Sequence, residues 1–378
     1  MQKKTLLYLF HETNDRKISF AISIGVILYT QTSAQTTAPA KNLVIVLMDG
    51  YRWQELYHGA DSSIIFDRRY NHTDSAWTVT KYWSDNMDDR RHKLMPFVWE
   101  TIARHGQLYG DRDFGNLVNV QNKYWFSYPG RSEIFTGYYD SAVNSNDYPD
   151  NPNSNVLEFI NEQPGFHGQI ATFSSWDAVA RIINRNRNGM LVNIYGEDVK
   201  GANLTALQKE ANFNQHNLPD IFGKGERMDA ATYAMAKAYF QASHPRILYI
   251  DFGDNDDFAH GHEYGDYLDA AHYADAMIRD IWTVLQNDPA YKDKTDLLVF
   301  PDHGRGVGTE WTDHGSETAH SNETYLMAMG PGIAAAGIVK TPGQIYQAQY
   351  AQTIASLLGL KFTTNHAVAP AVSLTVRR

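Results

Sequence analysis

The 378-residue sequence is 43% hydrophobic and 20% charged, with 33 Lys plus Arg against 43 Asp plus Glu, a formal net charge of −10. This is enough apolar material for a full core and excludes a disordered, collagen-like or coiled-coil chain, and no basic block points to nucleic acid as a partner. There is no cysteine, so disulfides, thiolate metal sites, iron–sulfur clusters and a cysteine nucleophile are excluded.

In chain order, Lys3, Lys4, Arg16 and Lys17 precede an apolar run from Ile18 to Tyr29, and small residues suited to cleavage end at Ala34. This pattern predicts a signal peptide over 1–34 and an exported, periplasmic or secreted protein. The apolar run is shorter than the roughly 20 residues a bilayer span requires, so no stable membrane insertion is expected. A short Thr/Ala/Pro tether follows, and then the unbroken apolar run Leu43 to Met48, which ends in Asp49-Gly50. Continuous rather than alternating hydrophobicity predicts a strand buried on both faces. Similar runs are Ile170 to Phe173, Ile247 to Phe252, Leu297 to Phe300 and Tyr325 to Met329. Helical spacing of apolar residues marks Tyr267 to Leu285, Val156 to Ile160 and Tyr350 to Leu358. Strands alternating with helices predict an α/β fold: a doubly wound, mostly parallel central sheet with helices on both faces. The polar stretches at about 57–95 and 184–229 read as insertions over one edge of that sheet.

Ligands of open α/β sheets sit beyond the carboxyl ends of the strands, so the polar residue after each apolar run is informative. Asp49 follows the first run. Asp254 to His260 follows the run ending at Phe252, Asp302-His303-Gly304 follows Phe300, and Asp313-His314-Gly315 comes shortly after. Singly, each is an ordinary turn. Recurring at successive strand ends, a mixture of Asp and His suits zinc or a similar borderline ion. A further element, Ser127-Tyr-Pro-Gly-Arg131, puts a hydroxyl at a Pro/Gly turn where a helix begins. A helix N-terminus offers N–H groups to an anion, and a hydroxyl beside a metal can attack phosphorus.

Taken in order, these residues resemble the alkaline phosphatase superfamily, and within it the nucleotide pyrophosphatase/phosphodiesterase-type branch. The resemblance runs from about Asn42 to Leu360, with gaps in the two insertions. It rests on Met48-Asp49-Gly50, on Ser127-Tyr128-Pro129 with Thr136-Gly137 at the family spacing, and on Asp256-x-x-x-His260. Asp302-His303-Gly304 and His314-Gly315 ahead of Gly330-Pro331 complete it. It implies that residues 41–378 form one alkaline phosphatase-like catalytic domain. Asp256, His260 and His314 would hold one divalent ion, and Asp49, Asp302 and His303 a second, both zinc by preference, with manganese or iron as alternatives. Ser127 would be the nucleophile, attacking a small-molecule phosphate ester through a phosphoseryl intermediate. A family Asn that binds a phosphoryl oxygen corresponds to Asn144 or Asn146, with Asn146 preferred. Arg131, four residues after the nucleophile, is expected to clamp a phosphate oxygen. Trp176 is expected as an aromatic platform at the mouth, and His72, His92 and Tyr264 are weaker candidates there.

Two alternatives remain open at this stage. Ser127-x-Pro-x-Arg131 also matches the core of the sulfatase signature, in which the Ser becomes formylglycine. Against it, Asp49 is followed by Gly50 rather than a second Asp, and three His fit the ligand pattern where a calcium site would use hard oxygens. The other alternative is a non-catalytic binding protein of the same fold, which would be expected to have lost one of these residues. Substrate identity and oligomeric state are not legible in the sequence.

Overall fold

The computed structural model describes residues 40–374 apart from residue 73. The segment read as a signal peptide, 1–34, lies outside these residues. The strands are β1 (Asn42–Met48), β2 (Gly106–Tyr109), β3 (Asn116–Asn119), β4 (Ile170–Ser174), β5 (Leu191–Asn193), β6 (Ile247–Phe252), β7 (Thr295–Phe300), β8 (Glu323–Thr324), β9 (Leu326–Met329), β10 (Gly337–Ile338) and β11 (Gly343–Tyr346). Eight of them form one sheet in the order β10-β2-β9-β7-β1-β6-β4-β5, and β11-β3-β8 form a small second sheet. Neighbours in the large sheet are parallel, except that β9 runs against both β2 and β7.

The continuous apolar runs are strands because both sides of the sheet are covered. Along β1, Val44, Val46 and Met48 enter one core, while Leu43, Ile45 and Leu47 enter the other. The first core is closed by the helix Tyr264–Asn287, whose Tyr267, Leu268, Ala271, Ala274, Ile278, Ile281 and Leu285 lie on one stripe. The second is closed by Ser127–Thr136, Val156–Asn161 and Tyr350–Leu357. Each fully buried Leu or Ile on these faces contributes about 1.5–3 kcal/mol relative to exposure. The architecture is therefore the doubly wound, mostly parallel sheet expected from the sequence.

Two departures concern the stretches read as insertions. Residues 57–95 carry the short helices Ser62–Ile65, Ser75–Tyr82 and Met87–Leu94. Residues 184–229 are not wholly an addition, because Leu191–Asn193 pair in register with Ala171–Phe173 and form the edge of the main sheet. Asn and Arg around this three-residue strand hid it, since an edge strand has little apolar surface to bury. Among the described residues, no helix is long and apolar enough to cross a membrane.

Candidate active site

The three central strands set the site. Met48 is level with Phe252, and Leu47 with Phe300, so β1, β6 and β7 end together. Asp49, the helix Asp254–His260 and Asp302-His303 therefore leave the sheet at one place. Gly50 turns the chain away with φ +56°, a backbone that L side chains rarely adopt. A Cβ there would come within 2.7 Å of Asp256 Oδ1 and 3.0 Å of His303 Cε1.

Two ligand groups result. In one, single side-chain atoms of Asp49, Asp302 and His303 lie within 4.8 Å of one another, and in the other those of Asp256, His260 and His314 do. These are the two triplets expected from the sequence. In the first, His303 Nδ1 faces Gly304 O at 2.9 Å, so that nitrogen carries the proton. The other ring nitrogen, Nε2, then points 3.1 Å from Asp49 Oδ1, a buried oxygen that accepts no well-aligned hydrogen bond. In the second, His314 Nδ1 is directed to Trp125 O at 3.3 Å. Its Nε2 stands 3.0 Å from His260 Nε2, and Asp256 faces both rings at 3.2 and 3.5 Å. Lone pairs that converge in this way require a cation or a shared proton between them. Imidazole and carboxylate together are a donor set for a borderline divalent ion; His303 and His314 are each oriented by a backbone carbonyl on Nδ1, while His260 Nδ1 faces Arg305 Nη2 at 3.4 Å.

The electrostatics agree. Burial and then the positive charge of His303 hold the His314 imidazole neutral, well below its usual range. Burial works to lower His303, but the carboxylates of Asp302 and Asp49 push it up to about 9. Burial also opposes ionisation of Asp256, yet Arg305 and then His314 and His260 hold it well below the usual carboxylate range.

Ser127 opens the helix Ser127–Thr136 and is 5% exposed. Its Oγ lies 3.3 Å from His303 Nε2, and His303 itself stands 3.9 Å from Asp256 of the second group. Asn146 is brought to this helix start, where its Oδ1 accepts from Tyr128 N at 2.9 Å. That contact fixes the amide orientation and leaves Nδ2 without a protein acceptor among the described residues. Asn144 makes no side-chain hydrogen bond among the described residues.

Arg131 is placed differently from expectation. It is fully buried, and Nε and Nη2 bind Asp251 at 2.9 and 3.0 Å. Nη2 also binds Asp49 at 2.8 Å, and Nη1 binds Asp302. With its fork spent on three carboxylates under the sheet edge, Arg131 is a charge-neutralising support for Asp49 and Asp302 rather than a clamp on substrate. Trp176 is half-buried with its ring 5.3 Å from the Arg131 guanidinium. Tyr264 is fully buried on Glu55 and Asp61, which removes it from the mouth. His72 pairs with Glu263, and His92 with the Asp88 carbonyl.

Three contributors were missed by sequence reasoning. Arg305, buried, binds Asp256 and the Trp311 carbonyl, and is the counterpart of Arg131 for the other ligand group. Its signal was present three residues after Asp302. Glu133 accepts Gln121 N, Asn122 N, Asn122 Nδ2 and Ala348 N. Asn122 Oδ1 in turn accepts Tyr124 N and Trp125 N. This hub holds Trp125 at φ +54°, an unusual backbone for a bulky residue, and so aims its carbonyl at His314. Glu226, from the second polar stretch, reaches across Gly253, where a Cβ would meet Oε1 at 1.9 Å. Burial first, then Asp257, Asp49 and Asp256, push its carboxyl well above the usual range.

No protein-family model matches the sequence, and no curated protein matches it. Solved structures do match in fold. Alkaline phosphatase PafA superposes with a TM-score of 0.58 at 12% identity, over 89% of this chain and 99% of that one. A putative sulfatase from Bacteroides thetaiotaomicron gives 0.57 at 12% identity, over 88% and 73%. A phosphonate monoester hydrolase from Silicibacter pomeroyi gives 0.52 at 12% identity, over 84% and 73%. The chain has the fold of the alkaline phosphatase superfamily.

Proposed function

We propose that the protein is an exported metal-dependent hydrolase of phosphate esters, of the phosphodiesterase or phosphatase type, with Ser127 as nucleophile. One observation carries the reading: two adjoining imidazole–carboxylate groups meet a buried serine that opens a helix, its Oγ 3.3 Å from His303 Nε2. Asp256, His260 and His314 would hold one divalent ion, and Asp49, Asp302 and His303 the other, with zinc suiting the donors and manganese or iron as alternatives. When bound, the two ions supply positive charge to the attacking and leaving oxygens of an in-line displacement.

The chain's own residues perform the rest. Ser127 Oγ forms the Oγ–P bond while the ester P–O bond breaks, and the serine proton leaves on the departing alcohol. Water then cleaves the P–Oγ bond and restores the serine. Asn146 Nδ2 donates to a non-bridging phosphoryl oxygen. Arg131 favours the ionised form of Asp49 and opposes the burial that pushes Asp302 up to about 7, and Arg305 does the same for Asp256, without competing for substrate. Sulfate chemistry is disfavoured by the three His in the ligand groups and by Gly50, where Asp256 and His303 crowd the position a second Asp would need for its side chain.

The test is hydrolysis of p-nitrophenyl phosphate, its bis ester and p-nitrophenyl sulfate, before and after chelation. A phosphate ester should be turned over, with a loss of at least about 10²-fold on chelation and recovery on adding zinc. Preference for the sulfate, with an aldehyde mass at Ser127, would establish the formylglycine alternative instead.

A further inference from the structure

A third imidazole–carboxylate group stands apart from Ser127, where the first short helix meets the β2–β3 turn. The helix Trp53–His58 stops at Gly59, φ +72°, with His58 in its last turn. β2 ends at Tyr109, and Gly110 and Asp111 lead into the turn Arg112–Phe114. Tyr57 Oη donates to the Tyr109 carbonyl at 2.9 Å, which fixes the helix end against the strand end. His58 Nε2 thereby comes 2.9 Å from Asp113 Oδ2. One ligand atom each from His58, Asp111 and Asp113 lies within 4.8 Å of the others.

The state of Asp111 is a separate observation. It is only 4% exposed. Its carboxylate accepts from Asp113 N at Oδ1, 3.2 Å, while Oδ2 accepts none among the described residues; its backbone carbonyl accepts from Phe114 N. Among the described residues no lysine or arginine lies within ion-pair distance, although the Arg91 charge is felt from further off. Arg112 turns instead to Glu323 at 3.2 Å, and Arg91 binds Asp88 with its guanidinium 3.8 Å from the Trp99 ring centroid. A buried carboxylate with an oxygen left unpaired is costly. Burial, followed by the charge of Asp113, accordingly raises its pKa. An ion between these three side chains would satisfy that oxygen.

We propose that His58, Asp111 and Asp113 bind a third divalent ion of the zinc class, separate from the two ligand groups around Ser127. One imidazole nitrogen and two carboxylate oxygens suit zinc, cobalt or nickel better than calcium, which takes six to eight oxygens. The solvent-facing side of Asp113 leaves the remaining positions to water. The ion ties residue 58 to residue 113 and so braces the helix that begins just beyond Asp49-Gly50. This proposal does not depend on the reading of the Ser127 site.

The full chain is dialysed against buffered zinc, and its metal content is compared with that of His58→Ala and Asp113→Asn. Both positions are partly exposed, and Asp113→Asn keeps the side-chain shape, so both variants should fold. Wild type is expected to retain one zinc per chain more than either variant, and to gain more thermal stability on adding zinc. If the Ser127 groups bind no metal at all, the difference of one zinc still stands. Equal zinc content in wild type and both variants would overturn the proposal.

Discussion

Ser127→Ala is expected to lower hydrolysis by at least about 10³-fold, the scale on which loss of a covalent nucleophile acts. Folding should be nearly unaffected. The Oγ is buried but makes a single contact, to His303 Nε2 at 3.3 Å, and one such hydrogen bond contributes about 0.5–1.5 kcal/mol. Metal content should stay that of wild type, since the six expected ligand residues remain. Acid quenching of wild type during turnover of a phosphomonoester should leave a phosphoryl increment of about 80 Da on the Ser127 peptide, the mass of the added HPO3, and a diester should leave that increment plus its retained ester group. Retention of more than a few per cent of the rate in the variant would remove Ser127 from the nucleophile's role.

Arg131→Met is expected to act through stability, by about 3–5 kcal/mol, the cost of stripping a partner from a buried charge cluster. Asp49, Asp251 and Asp302 would be left facing one another with the His303 imidazole and neutral donors such as the Tyr249 and Ser174 hydroxyls. Asp251 is fully buried and has no route to water. Arg131→Lys should recover little, because one ammonium cannot reach three carboxylates that a planar fork spans. Denaturant unfolding of the three proteins measures this directly. A variant with wild-type stability and a raised KM would instead restore the substrate clamp expected from the sequence.

The Arg131 result shows what the sequence carries and what it does not. The central strands were legible because each is an unbroken apolar run, a pattern that only two-sided burial explains. That Asp49, Asp256 and Asp302-His303 come together was legible because each follows such a run, and parallel strands in register end level; the grouping into triplets, and His314 with it, came from the family resemblance. β2, with the sequence Gly-Gln-Leu-Tyr, has too little apolar character to stand out. The orientation of Arg131 was not legible from its spacing to Ser127, since a guanidinium four residues on can turn outward to a ligand or inward to the sheet. A signal for the inward choice was nonetheless present. Asp251 lies inside the apolar run Ile247–Phe252, and a charge on a buried strand needs a partner. Arg131 is that partner, and Glu133 is a similar case, a buried acid that pays for its place by organising Gln121, Asn122 and Ala348. Glu226 had no such signal, because its approach to Gly253 depends on how a long polar stretch folds back.

Metal stoichiometry of the purified protein tests the central claim most directly. Measured in the His58→Ala background, so that the outer group does not contribute, two zinc-class ions per chain are expected. Asp256→Ala or His314→Ala should reduce the content to one. A single calcium ion, or no ion after reloading with zinc, would contradict the two-metal site.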